Sequence, residues 1–265
     1  MAAWDEYTRS ARLSNEQRAL LEDSFLWMDQ APGRCARVRA GEIVVAPMGR
    51  NGSTRVPDGL IHDWVGDTFI PGASLDDVSG ALRDYSRYKD WFQPAVVDSR
   101  LITSNDEKDR FSMVLMNKSL LSDMAVDMDY ESSSARLDDR RGYGISRSTR
   151  VQEIEKYGSS REHLLPEGEG SGIVWKLMSI TRYVERDGGV YLELEAIGLS
   201  RDIPASLRWV IEPVVRHTLR AALTTSLRQT THAVLSKHAA KVQALAQSSR
   251  RVASNKASDL MAPHK

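Results

Sequence analysis

Three groups of residues have types and spacing that chemistry could use. Glu193 and Glu195 stand two positions apart, which on a strand puts both carboxylates on one face, as a paired acid and base requires. Arg182 falls on that same face, so a cross-strand ion pair in solvent is the simpler account of them. Gly168, Gly170 and Gly172 repeat as G-x-G-x-G, but they precede an expected strand, whereas a phosphate-cradling loop follows a strand and opens a helix. Ser171 lacks the glycine spacing of a nucleophile elbow, and His62, His163, His217, His232, His238 and His264 show no metal-ligand spacing. His217 sits in an expected helix beside Thr218, where a histidine is more often hydrogen-bonded at a core edge than catalytic. Cys35 is the only cysteine, which excludes an internal disulfide and a thiol pair. The expectation is therefore of no catalytic residue, no metal and no cofactor.

Elements must position whatever site there is, and composition bounds them. The chain has 265 residues, with 36 basic and 36 acidic side chains in balance, so no global charge draws it to nucleic acid and no stable nucleic-acid complex is expected. Nowhere do apolar residues run long enough to cross a bilayer, and the N-terminus has neither a basic nor an apolar leader region, so a soluble, by default cytoplasmic chain is expected.

Ser14 to Gln30 reads as an amphipathic helix stopped by Pro32-Gly33, followed by a turn-rich linker at Gly49 to Ser53. Leu60 to Ile70 is strand-like. Ser74 with Asp77 then caps a helix through Leu75, Val78, Leu82 and Tyr85, and a short helix from Arg87 runs up to Pro94. Six strands follow: Ala95 to Ile102, Arg110 to Lys118, Met124 to Glu131, Gly142 to Glu155, Gly172 to Arg186 and Gly189 to Ser200. A long helix opens at Pro204 and keeps its periodicity to about Leu235. Six consecutive antiparallel strands with one face polar cannot bury the other face alone, and the terminal helix is the only long apolar element left to cover it. The expected fold class is α+β, a helix-grip: a curved seven-stranded antiparallel sheet wrapped around a long C-terminal helix, with two short helices after the first strand. Residues 1–59 form an N-terminal helical extension and linker, 60–240 the main domain, and 241–265 a basic, solvated tail.

The turn Asp187-Gly188-Gly189 fixes the faces of the last hairpin, because even positions of one strand lie opposite odd positions of the next. One face carries Trp175, Leu177, Ser179, Thr181 and Tyr183 beside Leu192, Leu194, Ala196 and Gly198, and no charge. Apolar walls, small residues and a few hydroxyls suit a ligand pocket, and they also suit a filled core under a close helix. From the helix, Leu207, Ile211, Val214 and Thr218 are expected to face this surface. Trp209, Leu223, Leu227 and Val234 form a second stripe on the opposite side, to be covered by the extension or by a second subunit, so a homodimer stays open. On the charged face of the hairpin, Met178, Ile180, Ile197 and Leu199 need a cover, and the extension is the expected one. Arg147 and Arg150, on the long strand before the hairpin, are expected to point to opposite faces, which leaves an inward-facing arginine open.

The stretch Ile70-Pro71-Gly72-Ala73-Ser74, the aromatic run Tyr85-Ser86-Arg87-Tyr88-Lys89-Asp90-Trp91-Phe92-Gln93-Pro94 and the following Val96-Val97-Asp98-Ser99 resemble the opening of START-like (SRPBCC) proteins, which include polyketide cyclases and lipid-transfer domains. The likeness continues through Gly172 to Ser200 and the helix from Pro204. It implies a cavity between sheet and helix for a hydrophobic small molecule such as a lipid, sterol or polyketide, with transient membrane contact open. The thirteen residues named above, from Trp175 to Thr218, are then its ligand-binding set. A cyclase or dehydratase using the same cavity and a protein-interaction module are the alternatives. The loop Tyr157 to Ser171 reads equally as a lid or as a long hairpin connection.

Overall fold

The computed structural model describes residues 1–49, 51–57, 59–118, 123–204, 206 and 208–260. Helix α1 (Ala2–Ala19) leads through a short turn at Trp27–Gln30 to α2 (Pro32–Arg39), then strands β1 (Val44–Pro47), β2 (Ser53–Val56) and β3 (Gly59–Pro71). Helices α3 (Leu75–Leu82) and α4 (Tyr88–Trp91) precede β4 (Val96–Ser104), β5 (Asp109–Lys118), β6 (Asp123–Arg136), β7 (Arg141–Glu155), the two-residue β8 (His163–Leu164), β9 (Lys176–Arg186) and β10 (Gly189–Ser200). Helix α5 (Arg208–Leu260) closes the chain.

All strand pairs are antiparallel, in the order β1-β3-β10-β9-β7-β6-β5-β4, with β2 also on β3 and β8 on β7. The helix-grip arrangement holds, with ten strands among the described residues instead of seven. Two of the extra strands come from the segment expected to be a helical extension and linker, because the free edge of β3 offers unpaired backbone groups that Val44–Pro47 and Ser53–Val56 satisfy. The extension differs in its helices too. The first spans Ala2–Ala19 instead of Ser14 to Gln30, and Pro32 starts a helix instead of ending one, as a proline at the first helical position can.

Both faces of the sheet are covered, which explains why β3 is buried along nearly its whole length. On the concave side Ile70, Val190 and Leu192 pack with Leu75 and Val78 of α3 and with Leu223, Leu227 and Val234 of α5. The helix sits close over Gly66, where a Cβ would lie 2.7 Å from Leu227 Cδ1 and 2.8 Å from Val45 Cγ2. On the convex side Trp4, Tyr7 and Ala11 of α1 cover Met178, Ile180, Ile197 and Leu199, as expected of the extension. Further along, Phe25, Leu26, Met28 and Val38 pack on Val184 and Tyr191.

The Glu193–Arg182–Glu195 group lies under this cover and not in solvent. Arg182 bonds both glutamates and Asn15 of α1, while Arg18 reaches Glu193 at 2.7 and 3.0 Å and the Phe25 carbonyl at 2.7 Å. All three strand residues are at most 5 % exposed. The ion pair expected in solvent is buried because the extension that covers the apolar residues of this face covers its charges as well.

Helix α5 outruns its expected end at Leu235, and its backbone stays helical to Leu260, through much of the segment expected as a solvated tail. Polar docking onto α3 carries it onward: Lys237 Nζ donates to the Gly80 carbonyl and to Asp84, both at 2.8 Å, and His238 Nδ1 lies 2.8 Å from Asp77 Oδ2. The α3 start is the expected capping box, with the Asp77 N–H donating to Ser74 Oγ and the Ser74 N–H to Asp77 Oδ2.

Candidate functional site

A cavity of about 470 Å3 lies between the concave face and α5. The β9–β10 hairpin supplies one wall. Its turn has Asp187 and Gly188 at positive φ, and Leu192 pairs with Tyr183, Leu194 with Thr181, Ala196 with Ser179 and Gly198 with Leu177. These eight residues, all expected on the uncharged face, line the cavity.

Trp175 does not join them. It stands one residue before β9 begins, where strand alternation no longer governs direction, and its ring packs with the convex cluster near Gly59 and Gly172. The helix residues also need correction. Val214 is 58 % exposed, Thr218 faces solvent, Ile211 is half-buried outside the lining, and Leu207 lies outside the described residues. The wall contributed by α5 is instead Leu219, Ala222, Leu223, Ser226, Gln229 and Thr230. Leu223, expected to face away from the sheet, is buried against it with Leu227 and Val234. Helical periodicity yields two apolar stripes, and only the seat of the helix at Gly66 decides which one turns inward.

The opposite wall comes from β5 to β7 and from α3 and α4, and sequence reasoning did not assign it. Phe111 and Tyr130 face each other across the β5–β6 pair with ring centroids 4.9 Å apart, and Tyr85 stacks on Phe111 at 4.1 Å. Tyr88, Phe92, Met113 and Leu115 extend this surface. Alternation in Phe111-Ser112-Met113-Val114-Leu115 was the available signal, but long turns leave the parity between hairpins undetermined. Ser132, Ser134, Ser146, Ser179 and Thr181 place hydroxyls on the sheet side of the lining.

Charge enters at the ends only. Arg83, Tyr85 and Ser79 are shared with a polar vestibule of about 440 Å3 that also holds Asp76, Ser104 and Asp109. Asp109 accepts from Arg83 Nε at 3.0 Å and Nη2 at 3.1 Å, from Ser104 Oγ at 2.6 Å and from Tyr85 at 3.0 Å. Burial alone would raise this carboxyl, but those donors outweigh it and hold it below the usual carboxylate range. Burial pushes the Tyr85 phenol up to about 12. At the other end His62 lies between Ser53 Oγ at 3.0 Å and Ser200 Oγ at 2.9 Å, and burial lowers its pKa.

Neither Arg147 nor Arg150 points inward. A β-bulge lets Asp129 pair with Arg150 and Tyr130 with Ser148, so Thr149 is the extra residue and both arginines turn to the outer face. There Arg147 pairs with Glu131, and Arg150 with Asp127 and Asp129. In the loop expected as a lid or connection, Glu153 accepts from the Ser171 and Gly172 N–H groups at 2.8 and 3.0 Å.

A curved antiparallel sheet gripping a long C-terminal helix over a cavity is the helix-grip fold, built here with an additional helical layer on the convex face. No family model matches the sequence, and no curated protein matches it. Among solved structures, the chain is similar to a STAR-related lipid transfer protein from Xanthomonas axonopodis, at 18% identity over 72% of this chain and 98% of that one, with a TM-score of 0.46. Human STARD10 is similar over 81% of this chain and 82% of that one, at 12% identity and a TM-score of 0.49. The Zhui aromatase/cyclase from a Streptomyces species is similar at 14% identity over 69% and 96%, with a TM-score of 0.45. No helix among the described residues is long and apolar enough to cross a membrane.

Proposed function

We propose that the chain binds a hydrophobic small molecule in the cavity between its sheet and α5. The observation that carries this reading is the cavity itself: about 470 Å3, walled largely by leucines, methionines and stacked aromatic rings, with hydroxyl-bearing side chains among them. That volume falls within the roughly 300–1,000 Å3 of small-molecule sites, and an empty apolar space of this size inside a core costs stability unless it is used. The eight lining residues of the β9–β10 hairpin and the Tyr85–Phe111–Tyr130 stack are the proposed contact surface.

A cyclase reading of the same cavity needs a group at the wall that exchanges protons near neutrality. Asp109 is held low by its donors, Tyr85 is pushed up to about 12, and both ring nitrogens of His62 are engaged by Ser53 and Ser200, which favours a carrier. Native mass spectrometry of full-length protein from its own host, with extraction of any bound molecule, tests the proposal alongside uptake of the uncharged dye N-phenyl-1-naphthylamine. A bound apolar compound that displaces the dye is the expected result. Protein that carries nothing and takes up no dye would refute it.

A further inference from the structure

Four carboxyls lie on the convex face of the sheet near α1, and two arginines bond only two of them. Glu193 accepts from Arg182, from both Nη groups of Arg18 and from the Trp27 N–H, while Glu195 accepts from Arg182. The two glutamates therefore balance the two guanidinium groups. Asp63 and Asp67 project from the same side of β3, and both are buried. Asp63 Oδ2 accepts from the Tyr7 hydroxyl at 2.8 Å, but its Oδ1 has no hydrogen-bond partner among the described residues. Asp67 stands opposite Glu193 on β10 and Val44 on β1, fully buried, with neither oxygen bonded among the described residues.

The other charges packed against this pair are engaged elsewhere. Arg34 of α2 donates to the Trp27 carbonyl at 2.6 Å and lies over the Trp27 ring, and Asp29 pairs with Arg186. An ionised carboxylate held away from water with no donor is costly, so such a group takes up a proton instead. Burial and then Glu193 hold Asp67 well above the ordinary carboxylate range, against the pull of Arg18 and Arg34. Burial and then Glu195 raise Asp63 to about 7, against the Tyr7 hydrogen bond and Arg182. Helix α1 supplies Tyr7, Asn15 and Arg18 to this cluster. Lifting it away would let water reach both aspartates and return them to ordinary acids.

We propose that α1 is a proton-dependent latch, docked on the convex face while Asp63 and Asp67 stay neutral and released locally as they ionise, baring Ile61, Met178, Ile180, Ile197 and Leu199 while the sheet stays folded. Release frees up to two protons, so its equilibrium constant rises about tenfold per pH unit for each proton lost, and acid closes the latch again. The latch lies on the opposite side of the sheet from the cavity, and it stands whether or not the cavity binds a ligand.

Hydrogen exchange of the full chain, read by mass spectrometry from pH 5.5 to 8 and corrected for the base-catalysed chemical rate, tests this. Peptides of α1 are expected to be less protected than those of β9 and β10 at each pH. Between pH 5.5 and 7 their protection should fall about tenfold per unit for one proton released and about a hundredfold for two. In Asp63→Asn/Asp67→Asn, whose amides are neutral throughout, α1 protection should stay level over the same range. Exchange of α1 only together with the hairpin, or α1 protection in the unmodified chain that does not change with pH, overturns the inference without any variant. A double variant that keeps the wild-type slope overturns it as well.

Discussion

Replacing Gly198 with leucine separates an open cavity from a packed core. A Cβ at Gly198 would lie 3.2 Å from Leu177 Cδ2, the free end of a flexible side chain, and 3.9 Å from the Lys176 carbonyl. Beyond those two contacts lies the cavity. Burying the four added carbons contributes up to about 3 kcal/mol at about 0.8 per carbon. Replacing a strand glycine adds about 0.5–1 kcal/mol, fixing the leucine rotamer costs about as much, and displacing Leu177 costs about 1–3 kcal/mol. The terms nearly cancel, so the variant should melt within a few degrees of wild type, at about 2–4 °C per kcal/mol for a chain of this size. Dye uptake should be lost, because the side chain occupies the space. Gly66→Ala is the matched contrast: its Cβ meets Leu227 at 2.7 Å, Val45 at 2.8 Å and the Val44 carbonyl at 3.3 Å, so one methyl should cost on the order of 2 kcal/mol. Thermal melts with and without N-phenyl-1-naphthylamine read both quantities. A Gly198→Leu protein as destabilised as Gly66→Ala, with dye uptake intact, would refute the cavity at this position.

Arg18→Met removes one of two cations from the buried Glu193 while keeping the side chain's length; urea unfolding should show a loss on the order of 3 kcal/mol, and a loss below 0.5 would mean that Arg182 alone suffices. Asp63 is raised to about 7, first by burial and then by Glu195, so between about pH 4 and 7 the folded chain holds a proton that the unfolded chain releases. Stability from this group is greatest at low pH and falls as pH rises through 7, and Asp67, raised by burial and Glu193, acts in the same direction. Asp63→Asn, shaped like the neutral acid and still able to accept from Tyr7, should flatten the decline in melting temperature between pH 5.5 and 8; an unchanged slope would contradict the assignment. Trp175→Phe should leave dye uptake unaltered, since the ring packs on the convex side; a loss of uptake would return Trp175 to the cavity.

Particular elements show where sequence reasoning reached. The β9–β10 wall was legible because a two-residue turn couples the parity of adjoining strands, so one set of eight side chains had to share a face. The wall from β5 to β7 was not, since its hairpins join through longer turns and β7 carries a bulge that reverses parity at Thr149. The inward stripe of α5 was assigned to the wrong side. Leu223 and Leu227 look no different in periodicity from Val214 and Thr218, and the choice depends on Gly66, 150 residues and more away in the chain. The same holds for Arg182 with Glu193 and Glu195, whose shared face follows from spacing but whose burial depends on where α1 docks.

By itself the sequence determined what depends on neighbours along the chain: strands and helices from periodicity, the Ser74–Asp77 cap, the hairpin at Asp187-Gly188, and the uncharged face that follows from them. Only the tertiary structure decided how separate pieces meet: which stripe of α5 turns inward, that β1 and β2 join the sheet, that Asn15 and Arg18 of α1 bond the buried Arg182 and Glu193, and that Asp109, Ser132 and Ser146 stand opposite one another across β5, β6 and β7. The reason is physical. Local torsion and alternation act over a few residues, whereas these contacts join segments tens to hundreds of residues apart, whose choice of partner is settled by close approach and by the cost of burying unmatched polar groups.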